Sequence, residues 1–180
     1  MQKIDYKEQK KNMESAGSKE QILAKVLSEL DLEEYEKDST YKFTLVDNMM
    51  KLSQMVNDFA ESNPQIIAVD TETQGLGWEH KIIGISFSWS EDHNYYIPFR
   101  HVTEDNQLNI FECREYLQKL LSFEDKEYVF HNYKFDRHML KKDGIEVSGI
   151  IQDTMLMHYV IDENEKHSLK SLACKYVDPE

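Results

Sequence analysis

Residues 66–72 read Ile66-Ile67-Ala68-Val69-Asp70-Thr71-Glu72, and this stretch decides the fold. A short apolar run of this kind reads as a buried strand. The run stops on a carboxylate, and a second carboxylate stands two positions later. Residues i and i+2 of a strand point to the same face, so both acids can converge on one point at the sheet edge. Left unpaired there, they repel each other and are costly to desolvate. A divalent cation resolves both costs, and hard oxygen ligands select magnesium or manganese. The competing reading is a pair of strand-end acids that simply meet solvent, and the stretch alone does not choose between the two.

Working outward, the 180 residues, 40% hydrophobic and 11% aromatic, suit one globular domain with a core and an appendage. No apolar stretch is long enough to span a bilayer and the first residues lack a signal peptide's apolar segment, so no membrane partner is expected. Cys113 and Cys174 are far apart and form no metal-ligand pair. They suggest free thiols in a reducing compartment, with a cytoplasmic location expected. The net charge of −13 argues against a broad basic surface that grips nucleic acid. It leaves room for a locally acidic metal site, with a basic channel supplied by a larger parent protein.

Residues 1–40 are expected to form a charged extension, partly disordered or helical. Within it Ile22, Leu23, Val26, Leu27 and Leu30 recur at helical spacing, and 33–40 reads as an acidic linker. Residues 41–180 carry the regular pattern. A strand is expected over 41–46, then a helix capped by Asp47 with Met49, Leu52, Met55, Val56 and Phe59 on its apolar face. Asn63-Pro64 ends that helix, and the strand 65–70 follows. After a loop with Gly75 and Gly77, residues 81–89 alternate. Ile83, Ile85, Phe87 and Trp89 fall on one face, and Gly84, Ser86 and Ser88 on the other. A third strand over 93–97 completes an antiparallel meander, with Pro98 limiting its pairing. Helices over 108–122, 133–142, 154–161 and from Leu169 then alternate with strands over 127–131 and 149–152. The implied fold class is α/β: a ribonuclease H-like mixed sheet, flanked by helices, combining the antiparallel three-strand meander with parallel strands and an N-terminal helical extension.

A second constellation, Asn132-Tyr133-Lys134-Phe135-Asp136, sits where a strand passes into a helix. Asn132 suits an N-cap, and an acid in the first turn complements the helix dipole, so a purely structural reading stands beside a functional one.

Together, Asp70-Thr71-Glu72 and Asn132…Asp136 resemble the first two motifs of the DEDD exonuclease superfamily. Within it, the chain is similar to the 3′–5′ proofreading domain of family A, DNA polymerase I-like, DNA polymerases. Leu76 matches the leucine that follows the first motif, and Asp153-Thr154-Met155-Leu156 with Ser171-Leu172-Ala173 matches the two helices beyond the second. The resemblance covers residues 41–177. It implies hydrolysis of a single-stranded 3′ DNA end at a two-metal Mg2+ or Mn2+ site, releasing nucleoside monophosphates. The catalytic and metal-binding residues would be Asp70, bridging both ions, Glu72, on the ion that activates water, and Asp136, on the second ion. Leu76 and Asn132 would bind substrate, Leu76 as a wedge against the terminal base, although Leu76 also reads as core packing.

The family's fourth carboxylate is not found. His158 and Asp162 form H-x-x-x-D, one residue short of the histidine form, and Tyr159 has Glu163 rather than aspartate four positions on. The resemblance places the third motif beyond Glu180, with a polymerase domain C-terminal to this segment as the expected partner. The 180-residue chain alone is therefore expected to be weakly active or inactive. A ribonuclease D-like RNA 3′ exonuclease and a non-catalytic exonuclease-like binding module are the rival readings. No complete dinucleotide fingerprint, phosphate loop or zinc spacing occurs. Lys134, Arg137, Lys141 and Lys142 read either as a DNA path or as a solvated helix face.

Overall fold

The computed structural model describes residues 42–102 and 106–177; the expected helix over 22–30 and the linker over 33–40 lie outside them. Six strands form one mixed sheet in the order β1-β4-β3-β2-β5-β6. They are β1 (Phe43–Leu45), β2 (Ile66–Thr73), β3 (Ile82–Ser90), β4 (His93–Pro98), β5 (Glu127–Phe130) and β6 (Ile150–Asp153). β2, β3 and β4 pair antiparallel, as the alternating pattern predicts. β5 joins β2 in parallel, β6 joins β5 in parallel, and β1 runs parallel to β4 at the far edge. The helices are α1 (Met49–Ser62), α2 (Ile110–Leu120), α3 (Tyr133–Lys142), α4 (Thr154–Ile161) and α5 (Leu169–Tyr176).

β2 shows why the fold places acids where it does. Ile67, Val69 and Thr71 are buried on one face, in the core with Leu52, Met55 and Phe59 of α1 and Leu117 and Leu120 of α2. The alternate residues Ile66, Ala68, Asp70 and Glu72 therefore occupy the opposite face, and none of them is fully buried. That face continues through the small Ser86 and Ser88 of β3 and Asn94 and Tyr96 of β4. It bounds a cleft of about 500 Å3, to which Thr154 and Leu169 contribute from α4 and α5.

Three local expectations change. Asn48, not Asp47, caps α1: its Oδ1 accepts from the Lys51 amide at 3.0 Å, while Asp47 pairs with the Lys51 ammonium at 2.9 Å. Ile82 rather than Ile83 lies in the core, because Glu72 pairs with Gly84 but Thr73 with Ile82, leaving Ile83 as the extra residue of a bulge. Of the two methionines expected on the apolar face of α1, Met55 is core but Met49 is exposed. Both cysteines are free thiols, as expected, and Cys113 is buried. Among the described residues no helix is long and apolar enough to cross a membrane.

Candidate active site

The D-T-E strand and α3 meet through one oxygen. Asp136 Oδ1 accepts from the Thr71 amide at 3.2 Å and from the Thr71 hydroxyl at 2.6 Å. Thr71 is the residue between the two acids of β2, and its side chain points to the core. This contact joins two sequence motifs 65 residues apart. Asp136 is only 3% exposed. Burial pushes its carboxyl up to about 6; the Thr71 bonds oppose that shift and the nearby Asp70 charge adds to it. Asp70 is half-buried, and its pKa is also raised by burial, against the pull of His131 and the Thr71 amide. Glu72 is exposed on the same face as Asp70.

Around these acids stand groups that the sequence did not single out. The Tyr96 ring lies across Gly84, the direct cross-strand partner of Glu72; a Cβ on Gly84 would stand 2.0 Å from the Tyr96 hydroxyl. Burial and the Glu72 charge both raise the Tyr96 phenol's pKa. The hydroxyl is held by His101 Nε2 at 2.8 Å, and His101 is fixed in turn by two bonds between its backbone and the Gln107 amide. On the other side of Asp70, the Thr154 hydroxyl donates to the Phe130 carbonyl, so its oxygen is left to accept from His131 Nδ1 at 2.9 Å. That arrangement makes Nδ1 the donor in this contact.

Asn132 departs from its expected part. It occupies the N-cap position of α3 but lies in the left-handed region (φ 74°, ψ 51°), and its side chain makes no capping bond. The cap is supplied across the sheet by Asp153, whose two oxygens accept from the Asn132 and Tyr133 amides at 3.1 and 2.9 Å. The same carboxylate caps α4 through the Met155 and Leu156 amides. Asp153 thus orders the junction that delivers Asp136, and the Asn132 side chain makes no hydrogen bond among the described residues. Asparagine tolerates this backbone region better than most residues.

Leu76 is not core. It is 90% exposed in the loop between β2 and β3. His158, half of the near-match to a third motif, is buried and engaged with His167, Nδ1 to Nδ1 at 2.8 Å. Of the basic residues of α3, Lys142 holds the 74–81 loop by its ammonium, through the Trp78 and His80 carbonyls.

Among the described residues no three histidine, cysteine or acidic side chains stand close enough together to hold a metal ion in the arrangement shown. Asp136 is turned toward Thr71, on the core side of β2, while Asp70 lines the cleft and Glu72 is exposed farther along the same face of the strand. The donor set nevertheless suits a hard divalent cation. It consists of carboxylate oxygens, two of them raised in pKa by burial, and none of the three takes part in an ion pair among the described residues.

A mixed sheet of this order, with acids at the end of an interior strand, is the arrangement of ribonuclease H-like exonucleases. The chain belongs to the 3′–5′ exonuclease family, whose model matches residues 37–180, and is related to the exonuclease domains of family A DNA polymerases. It is 39% identical over 120 residues to the DNA polymerase of Escherichia phage T5, covering 62% of this chain and 13% of that one. It is 33% identical over 139 residues to DNA polymerase I of Borreliella burgdorferi, covering 76% of this chain and 15% of that one. The chain therefore spans less than a fifth of the length of these relatives. In fold it is similar to Escherichia coli RNase D, an exoribonuclease involved in structured RNA processing, with a TM-score of 0.58 at 14% identity over 76% of this chain and 33% of that one.

Proposed function

We propose that the chain is the metal-dependent 3′–5′ proofreading exonuclease segment of a DNA polymerase, acting on single-stranded 3′ DNA ends. The observation that carries this reading is the pair of hydrogen bonds from Thr71 to Asp136, which draws the acid of α3 to the strand that presents Asp70 and Glu72. Asp70 and Glu72 of β2 and Asp136 of α3 would hold the divalent cations. Such cations supply charge neutralisation at a scissile phosphodiester and a water acidified toward neutral pH.

The chain's own residues prepare that site. Burial keeps Asp70 and Asp136 poor at carrying charge alone, which favours cation uptake over bare ionisation. Tyr96, steadied by His101, borders the cleft on the meander side, and His131 borders it on the other. Asn132, whose side chain makes no capping bond, and Leu76, exposed on the loop after β2, would bind the strand. The fourth carboxylate of the family set, and a polymerase domain, are assigned to sequence beyond Glu180.

The test is a 5′-labelled single strand with Mg2+ or Mn2+, given to this chain, to a C-terminally extended form and to the extended Asp70→Ala variant. Stepwise 3′ shortening by the extended form and none by the variant supports the reading. No shortening by the extended form overturns it. A parallel RNA strand separates proofreading from a ribonuclease D-like role.

A further inference from the structure

The 74–81 loop carries two large apolar side chains that its own packing does not hide. Leu76 is 90% exposed and Trp78 is 50% exposed. An exposed tryptophan on a loop of this length would ordinarily be free to fold onto any apolar surface. Here it is held. The Trp78 ring stands edge-on to His138, with centroids 4.4 Å apart at 79°, and lies 6.0 Å from Phe135. Its carbonyl receives the Lys142 ammonium at 2.7 Å, and the same ammonium bonds the His80 carbonyl. Within the loop, His80 N donates to Gly77 O at 3.1 Å and Gln74 N to Lys81 O at 3.1 Å. The result is an aromatic side chain fixed in orientation yet half open to solvent.

Its location gives that arrangement a purpose. The Trp78 ring packs on α3, the helix that carries the proposed metal ligand Asp136, and one of its partners, Phe135, is the residue before Asp136. The helix beneath it carries Lys134, Arg137 and Lys141, a local basic strip in a chain of net charge −13. A held, half-exposed aromatic on a helix that carries basic residues and a proposed metal ligand matches the chemistry of an unpaired nucleobase, whose π-face stacks on an aromatic ring while its phosphates follow the cations.

We infer that Trp78 is a base-stacking residue for the single strand, clamped in place by Lys142, and that it binds a nucleotide on the α3 side of the acids. This rests on the exonuclease reading and adds to it a residue that sets where the strand lies. Trp78 contacts substrate in this account, whereas Lys142 is a positioning residue.

The chain has two tryptophans, Trp78 and Trp89, so the Trp89→Phe variant makes Trp78 the sole tryptophan reporter. Titration of the 180-residue Trp89→Phe chain with an unlabelled thymidine octanucleotide in Ca2+ is expected to quench Trp78 emission in parallel with binding measured by anisotropy of a labelled copy. In the same background Trp78→Ala should weaken binding about tenfold, as expected for the loss of one base–aromatic stack. Trp78→Phe should restore binding to within about threefold, an outcome that a purely structural part in the loop does not require. Binding with unchanged Trp78 emission, or Trp78→Ala binding as tightly as its parent, overturns this inference and leaves the nuclease reading standing. No binding of the octanucleotide by the parent chain likewise overturns this inference, whereas the nuclease reading stands or falls with 3′ shortening by the extended form.

Discussion

Thr71 donates its backbone amide and its hydroxyl to the same oxygen of Asp136, at 3.2 and 2.6 Å. The residue between the two acids of the first motif thus fixes the acid of the second. Thr71→Val keeps the shape and removes one of the two donors. Since the acceptor is a buried carboxylate, the variant should lose about 1–3 kcal/mol of stability, read by urea denaturation, with Thr71→Ser losing much less. A Thr71→Val chain as stable as the parent would show that the contact does not hold α3 to β2.

Asp136 also sets a pH dependence. Its carboxyl titrates at about 6 in the fold against an ordinary 3.8, so the folded chain binds this proton more tightly than the unfolded chain. The resulting stability is complete below the ordinary value and is lost as pH rises through about 6. Asp136→Asn, whose amide oxygen still accepts from Thr71, should be more stable than the metal-free parent at about pH 7.5, by up to roughly 3 kcal/mol. Near pH 4 the two should converge. Thermal melts of both chains across that range in EDTA check the sign directly.

Asp153 binds no substrate in this account, yet four backbone amides depend on it. Asp153→Ala leaves two helix starts uncapped and should destabilise by roughly 2–4 kcal/mol. Asn132→Gly, by contrast, meets a backbone already at φ 74° and removes a side chain with no capping bond. It should leave stability within about 0.5–1 kcal/mol of the parent while weakening single-strand binding. A matched loss of stability and binding in Asn132→Gly would assign that side chain to the fold instead.

Gly84 is a steric requirement. A methyl group there meets the Tyr96 hydroxyl at 2.0 Å, so Gly84→Ala should displace Tyr96 and break its bond to His101. The tyrosine and histidine resonances of the variant should shift together, whereas those of Tyr128, buried on the far side of the sheet, should not.

Much of this was legible in the sequence. Alternation in β3 and the helix over 133–142 follow from periodicity, because burial on one face is what the pattern encodes. The pairing of Asp70 with Glu72 follows from strand geometry alone. What was illegible depends on register and on contacts between distant segments. The bulge at Ile83 exchanges two neighbouring isoleucines of equal hydrophobicity, which no composition signal separates. Asp47 and Asn48 are both good caps, and the choice falls to Asn48 because Lys51 draws Asp47 away. Asn132 looked like its own helix's cap, but the cap arrives from Asp153 at the end of another strand. Tyr96 and His101 gave no motif, and their relation to Glu72 appears only once β3 lies between β2 and β4.

The central claim is that Asp70, Glu72 and Asp136 are the metal-binding half of an exonuclease site. Calorimetric titration of the chain with Mn2+ at neutral pH, beside its Asp70→Ala variant, tests this most directly. Saturable Mn2+ binding by the parent and its loss in the variant are expected, because Asp70 is one of the proposed cation-holding carboxylates. Equal uptake by both chains, or none by the parent at millimolar Mn2+, would contradict it.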